Sequence, residues 1–294
     1  MPRTHRALLT VREYEVDAFG ELFPSAPARY LQQAAVEAST AAGFDDEWYR
    51  RTGTLWVIRR STIERFAAIR SGEALEITTY VADFRRVRSR REYEVRRSAT
   101  GEPVAAAHTD WVYLDRATAR PIRVPEEMIS GFVPEGDAAV LARDLLRVPK
   151  PPPGAHALEH HVSFRDIDTL FHVNNAAYLD LFTDAAFAAL AASGWPLERF
   201  LAESGRLRTR LLDVEYIAEA RFGEKLSCST WPGPAPGERF GKIVRVDDDA
   251  DLTRARSVWE WADAASGAPA AMPEELATAL GEGKAALAPA REDR

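Results

Sequence analysis

Cysteine is almost missing: Cys228 is the only one in 294 residues. That excludes an intramolecular disulfide framework and any CxxC metal or redox motif. No stretch approaches 18 uncharged apolar residues, so no membrane-spanning helix is expected, and residues 1–16 lack the apolar core of a secretory signal. Positive charge is in deficit, with 38 Lys and Arg against 45 Asp and Glu for a net charge of −7, which argues against a general nucleic-acid binder. There is no GxSxG elbow, P-loop or dinucleotide fingerprint. His156, His160 and His161 have no metal-ligand spacing and are expected to be ordinary loop residues. With 46% hydrophobic and 28% charged residues the chain is globular, and its length suits two domains of about 150 residues each. The expectation is a cytoplasmic protein with no metal and no cofactor.

What is present is an internal repeat. Val11-Arg-Glu-Tyr-Glu-Val16-Asp17 aligns with Val162-Ser-Phe-Arg-Asp-Ile167-Asp168, 151 positions on. The segment Arg70 to Tyr80, with Gly72-Glu73, aligns with Arg221 to Trp231, with Gly223-Glu224, at the same offset. Trp111-Val-Tyr113-Leu-Asp115 aligns with Trp259-Glu-Trp261-Ala-Asp263 at an offset of 148. Each match is weak alone, but three in one order indicate two copies of one fold. Pro149 and the run Pro151-Pro152-Pro153 cannot continue a helix or a central strand, so they mark a linker. The expected layout is an N-terminal domain over 1–135, a linker over 136–156, a C-terminal domain over 157–265 and a tail over 266–294. Within that tail the pattern predicts a short surface helix at Glu274–Leu280, stopped by Gly281, in an otherwise loosely ordered segment.

Each copy reads as a strand, a loop, one long helix and then several strands. Between Asn175 and Ala192 apolar residues fall on nearly every side and only Asp180 and Asp184 are charged, the pattern of a buried helix. Pro27–Ala42 repeats it, in an alignment that places three extra residues before Tyr30. Predicted strands cover 55–63, 74–84, 92–98 and 105–114, then 207–217, 225–231, 240–246 and 254–261. One buried helix with a mainly antiparallel sheet of about five strands is an α+β unit in which the sheet curls around the helix. Two such units pair as subunits of a symmetric dimer do, giving a tandem double hotdog.

At the head of the second copy stands Asp166-Ile-Asp168-Thr-Leu-Phe-His172-Val-Asn174-Asn175-Ala-Ala-Tyr178. A carboxylate, an imidazole and the donor-rich N-terminus of a helix meet within about ten residues, which suits stabilisation of an oxyanion. Asp168 is a candidate general base or nucleophile, and His172 a candidate to orient the reacting groups. Val173, Asn174 and Asn175 shape the donor-bearing end where substrate would bind, and the asparagines are natural N-cap residues. The first copy keeps Asp17 but has Glu21 at the place of His172, so one active site per chain is expected.

The D-x-x-x-H-V-N-N-x-x-Y pattern resembles the hotdog acyl-CoA thioesterases, and the two-copy layout is similar to the acyl-ACP thioesterases over most of residues 8–265. Tyr14-Glu-Val16, Leu31-Gln32-Gln33, Leu55-Trp56-Val57 and Trp111-Val112 share in that resemblance. It implies hydrolysis of a fatty acyl thioester by Asp168 and His172, a further acid at Glu219, and an acyl tunnel lined by the first domain. The chain departs from the acyl-ACP thioesterase pattern with Leu170 for an Asn and Ala220 for a Cys, and from the single-domain thioesterase pattern with Phe171 for a Gly. The expected partner is acyl carrier protein or coenzyme A as thioester, with no nucleic acid and no membrane; homodimerisation is left open. Alternatives are a hotdog dehydratase or hydratase and a non-catalytic acyl-binding protein. Arg85 to Arg97 holds seven arginines against two glutamates, and reads either as a solvated hairpin face or as a docking surface for an acidic carrier or for phosphates.

Overall fold

A computed structural model of the chain describes residues 3–132 and 146–281. Among these, ten strands form one sheet in which every neighbouring pair is antiparallel. The first half supplies β1 (His5–Thr10), β2 (Thr54–Arg65), β3 (Ala74–Arg85), β4 (Arg88–Arg97) and β5 (Pro103–Asp115). The second supplies β6 (His156–His161), β7 (Gly205–Tyr216), β8 (Lys225–Pro232), β9 (Glu238–Arg245) and β10 (Asp251–Asp263). Their order, β1-β3-β4-β5-β2-β7-β10-β9-β8-β6, reads the same from either end once each strand is exchanged for its counterpart. At the seam Thr62 pairs with Asp213, its own counterpart 151 positions on, so a pseudo-two-fold axis passes between them. There Arg60 grips the Asp213 carboxylate through Nε at 2.7 Å and Nη2 at 2.6 Å, and Thr62 donates to it at 3.1 Å. A bidentate, half-buried pair of this kind fixes the register of the two halves.

The long helices are α1 (Ala26–Ala41) and α4 (Asn175–Ala192). The Asn174 side chain caps α4 by accepting from the Ala176 N–H at 2.9 Å. Ala34 and Ala185 are completely buried, as small residues must be where a sheet closes on a helix backbone. The buried residues of α1, from Ala26 through Ala38, all recur in α4 at an offset of 151. The repeat therefore runs through the helix without the three-residue insertion expected before Tyr30.

Three short helices were not expected: α2 (Asp46–Thr52), α3 (Glu126–Phe132) and α5 (Leu197–Ala202). The last helix, α6 (Glu274–Leu280), has the expected bounds, with Gly281 at φ 108 as its cap. It is not a surface helix in a loose tail. Leu276 and Leu280 are fully buried beside Trp195, Trp259 and Trp261. Pro125-Glu126-Glu127-Met128 and Pro273-Glu274-Glu275-Leu276 are 148 apart, so α6 is the counterpart of α3 and the second unit extends to at least Leu280. His156, His160 and His161 lie in edge strand β6 rather than in a loop, and His160 Nε2 is 2.9 Å from Asp166. Residues 136–145 of the expected linker and the tail beyond 281 lie outside the described residues.

Candidate active site

Between β6 and α4 the chain makes one turn of 3-10 helix (Phe164–Asp166) and then the loop 167–174. Two backbone bonds close that loop, from the Asp168 N–H to His172 O at 3.0 Å and from the Phe171 N–H to Asp168 O at 3.0 Å. The turn forces Phe171 to φ 64, a left-handed conformation that Gly20 adopts at the matching place in the first copy. Asp168 Oδ1 accepts the Leu170 N–H at 2.8 Å and lies 3.7 Å from His172 Nδ1, outside direct hydrogen-bond reach. Its other oxygen accepts no hydrogen bond from a described residue. Apo geometry of this looseness is compatible with a catalytic pair that tightens on binding. Val173 is buried and its N–H donates to Ala220 O at 2.8 Å, tying the loop to the turn before β8. Asn175 begins α4; its Nδ2 is buried without a hydrogen-bond partner among the described residues. Its carbonyl accepts the Tyr216 hydroxyl at 3.2 Å.

A cavity of about 410 Å³ opens at this loop. Asp168, Thr169 and Leu170 supply its second-copy wall, and everything else comes from the first copy. Ala35, Ser39, Phe44, Tyr49, Trp56 and Trp111 form much of the interior, while Arg50 and Arg116 stand exposed at the rim. Gln32 of α1 lines it too and accepts from Asn174 Nδ2 at 3.3 Å, joining the body of α1 to the start of α4. Sequence reasoning assigned none of these first-copy lining residues. Only Leu31-Gln32-Gln33, Leu55-Trp56 and Trp111 carried a signal, through the family resemblance.

The duplicated half explains why this cavity has no counterpart of its size among the described residues. At the places related by the 151 offset to Val36, Ser39 and Leu170 stand Phe187 and Leu190 of the second copy and Phe19 of the first. Phe19 packs 6.3 Å from Phe187 and 6.2 Å from Phe200, centroid to centroid, so aromatic rings fill the space that the first copy leaves open. The first copy's own loop is also closed. Asp17 accepts the N–H groups of Phe19 at 2.8 Å and Glu21 at 3.1 Å, and burial raises its carboxyl above the ordinary range. Glu21 is buried 3.5 Å from the buried Arg65. Arg65 stands at the position of Tyr216, so a guanidinium fixes here what a phenol positions at the α4 end.

Glu219 is not brought to the cavity. Its carboxylate pairs with Arg221 on the surface, and it is absent from the lining. Cys228 is buried, and burial pushes its thiol up out of the reactive range. The arginine-rich hairpin is largely neutralised rather than free. Arg90 is bidentate to Asp110 at 2.8 and 2.9 Å, Arg97 pairs with Glu73 and Glu102, Arg96 with Glu94 and Arg85 with Asp83. Arg91 is buried and donates to Thr79, and the counterparts Arg239 and Thr230 repeat that contact in the second half. The pair belongs to the shared architecture.

Fold and site together define a tandem hotdog protein with a cavity at the loop that carries Asp168, while His172 and Asn174 of the same loop, and Asn175 at the start of α4, lie outside its lining. Residues 2–132 match the family described as acyl-ACP thioesterase N-terminal domain, and residues 162–280 the thioesterase-like superfamily. The resemblance read from the sequence is borne out in both halves. The chain is 24% identical over 271 residues to an acyl-[acyl-carrier-protein] hydrolase of Cuphea viscosissima, covering 86% of this chain and 62% of that protein. It is 26% identical over 278 residues to a palmitoyl-acyl carrier protein thioesterase of Gossypium hirsutum, covering 85% and 62%. The chain thus spans less than two thirds of the length of these curated relatives. Among solved structures it is similar to an acyl-ACP thioesterase from Bacteroides thetaiotaomicron, with TM-score 0.72, 19% identity and coverage of 87% of this chain and 98% of that one. The 12:0-ACP thioesterase from Umbellularia californica gives TM-score 0.71 and 19% identity, with coverage of 88% and 97%. These structures share the fold.

Proposed function

We propose that this protein hydrolyses fatty acyl thioesters, with acyl-[acyl carrier protein] as the substrate and free fatty acid and carrier thiol as products. The observation that carries the reading is the cavity: a first-copy interior of about 410 Å³ whose mouth holds Asp168 from the second copy. The acyl chain lies in that interior, which places the thioester carbonyl at the loop. Asp168 takes a proton from an attacking water, or attacks the carbonyl itself. Its oxygen that accepts no bond from a described residue faces that task, while the Leu170 N–H holds the other. The first turn of α4, headed by Asn174 and Asn175, supplies the positive end of the helix dipole to the developing oxyanion. His172 positions the carboxylate or the water. No metal or cofactor is required, because the thioester is already an activated acyl group.

The test is thiol release from a panel of acyl chains on acyl carrier protein and on coenzyme A, with Asp168→Asn as control. Turnover by the wild type and at least a 10³-fold loss in the variant are expected. Acyl binding without turnover would favour a non-catalytic acyl-binding protein and defeat the proposal.

A further inference from the structure

The two halves of this chain act as controls for one another, and charge distinguishes them. Seven arginines stand exposed at one end of the first half: Arg50 and Arg51 on α2, Arg116 and Arg120 after β5, Arg123 before α3, and Arg86 and Arg88 at the β3–β4 turn. None of the seven has an ion pair or a side-chain hydrogen bond to a described residue. Backbone bonds make them one surface. The Arg116 N–H donates to Gly53 O at 2.8 Å, Asp115 N–H to Arg120 O at 3.0 Å, and Val124 N–H to Arg86 O at 2.8 Å. Strands β2, β5 and β4 are neighbours in the sheet, so the band is at least two strand spacings wide, about 10 Å. Its nearest acids in sequence are engaged or lie at helix starts: Asp115 bonds Thr118, while Asp46, Glu47, Glu126 and Glu127 occupy first turns of α2 and α3.

In the second half every counterpart is uncharged. Leu201 and Ala202 replace Arg50 and Arg51, and Ala264, Ala268 and Ala271 replace Arg116, Arg120 and Arg123. The β8–β9 turn, residues 233–237, carries no charge at all. The backbone at these places is duplicated, down to the bridges Leu114–Pro121 and Ala262–Pro269. Folding therefore does not demand the arginines. They occur only where the cavity opens, and Arg50 and Arg116 line its rim. On a chain of net charge −7, so many unneutralised cations in one place repel one another and are retained for an anionic partner.

We propose that this arginine band docks the acidic face of a carrier protein that delivers the acyl thioester to the cavity mouth. The proposal rests on the thioesterase reading above and locates its macromolecular partner. The band is too wide for one phosphate and suits a surface with several carboxylates, bound as complementary charge that speeds encounter. The arginines of the β3–β4 hairpin are mostly paired, and only Arg86 and Arg88 at its turn contribute.

The experiment compares the wild type with the triple variant Arg51→Glu/Arg88→Glu/Arg120→Glu, none of which lines the cavity. Each is assayed on one acyl chain carried by acyl carrier protein, by coenzyme A and by pantetheine, at low and at physiological salt. Arg6→Glu, on edge strand β1, controls for charge alone. The expected result is a rise in KM of at least about tenfold for the carrier-protein substrate at low salt, with kcat unchanged. Turnover of acyl-pantetheine and the Arg6→Glu variant should match wild type. An unchanged KM for the carrier-protein substrate overturns the docking surface while leaving the hydrolase intact. An equal loss on coenzyme A assigns the band to nucleotide phosphates instead and also overturns it. Absence of turnover on all three carriers in the wild type defeats the thioesterase reading itself.

Discussion

Replacing Ala35 by leucine shortens the space available to an acyl chain without touching a polar group. Ala35 lies on α1, is 7% exposed, and lines the cavity. Leucine is nearly as good a helix former as alanine, so the helix itself loses little. The substitution adds three carbons to a wall that faces open volume rather than packed atoms, so it displaces about three methylenes of a ligand that fills the interior. At about 0.8 kcal/mol per buried methylene the longest accommodated chain loses about 2.4 kcal/mol of binding. That corresponds to about a fifty-fold fall in kcat/KM. A chain too short to reach the wall loses nothing. The assay is kcat/KM for thiol release across acyl lengths, wild type against variant. The prediction is a loss that grows with length above a threshold, with the preferred length shifted down. A uniform loss at all lengths, or none at any, would refute the assignment of this cavity to the acyl chain.

Other outcomes follow from the same geometry. Burial raises the Asp17 carboxyl, so the stability associated with its protonated form is present at low pH and is lost as pH rises through the folded-state pKa. Asp17→Asn should therefore raise Tm at pH 7, show no gain at pH 3 and keep full thiol-release activity; lost activity would reveal a second site. Phe171→Gly relieves a left-handed φ of 64 and should stabilise by up to about 1 kcal/mol in chemical denaturation, whereas destabilisation would show that the exposed ring makes a needed contact. Leu276→Ala should cost about 2–5 kcal/mol because α6 is docked in the core; a cost under about 0.5 kcal/mol would mean the helix is dispensable.

The legible parts of the fold were those written in long periods. The long helices show a recurring apolar pattern over sixteen or more positions, on nearly every side of α4, and the strands lie between clear turn signals, so both were readable within a few residues. Helices α2 and α5, of seven and six residues, are too short for periodicity to separate them from loop. The second unit's true end was encoded in the Pro-Glu-Glu triplets at 125 and 273, but such a triplet has meaning only once both are seen to start a helix. The site was legible where its residues are consecutive, from Asp168 to Asn175. It was not legible where distant segments converge. Nothing near Ser39 in sequence says that Leu170 faces it across an opening, nor that Phe187 and Phe19 close the equivalent space. Glu219 was proposed from family position, yet the local pull of Arg221 two residues on decides where its carboxylate goes.

The axis through Thr62 and Asp213 has a consequence for how such a molecule can change. In an assembly of two identical subunits, a bulky ring introduced to brace one pocket blocks its twin as well, so hollowness and rigidity compete at every position. Joining both units in one polypeptide removes that constraint. One side can be solid with Phe19, Phe187 and Trp195 and supply the cohesion that an empty chamber forfeits, while the other keeps its chamber. A chamber of another shape is then reachable by editing one wall, with the opposite half left as ballast.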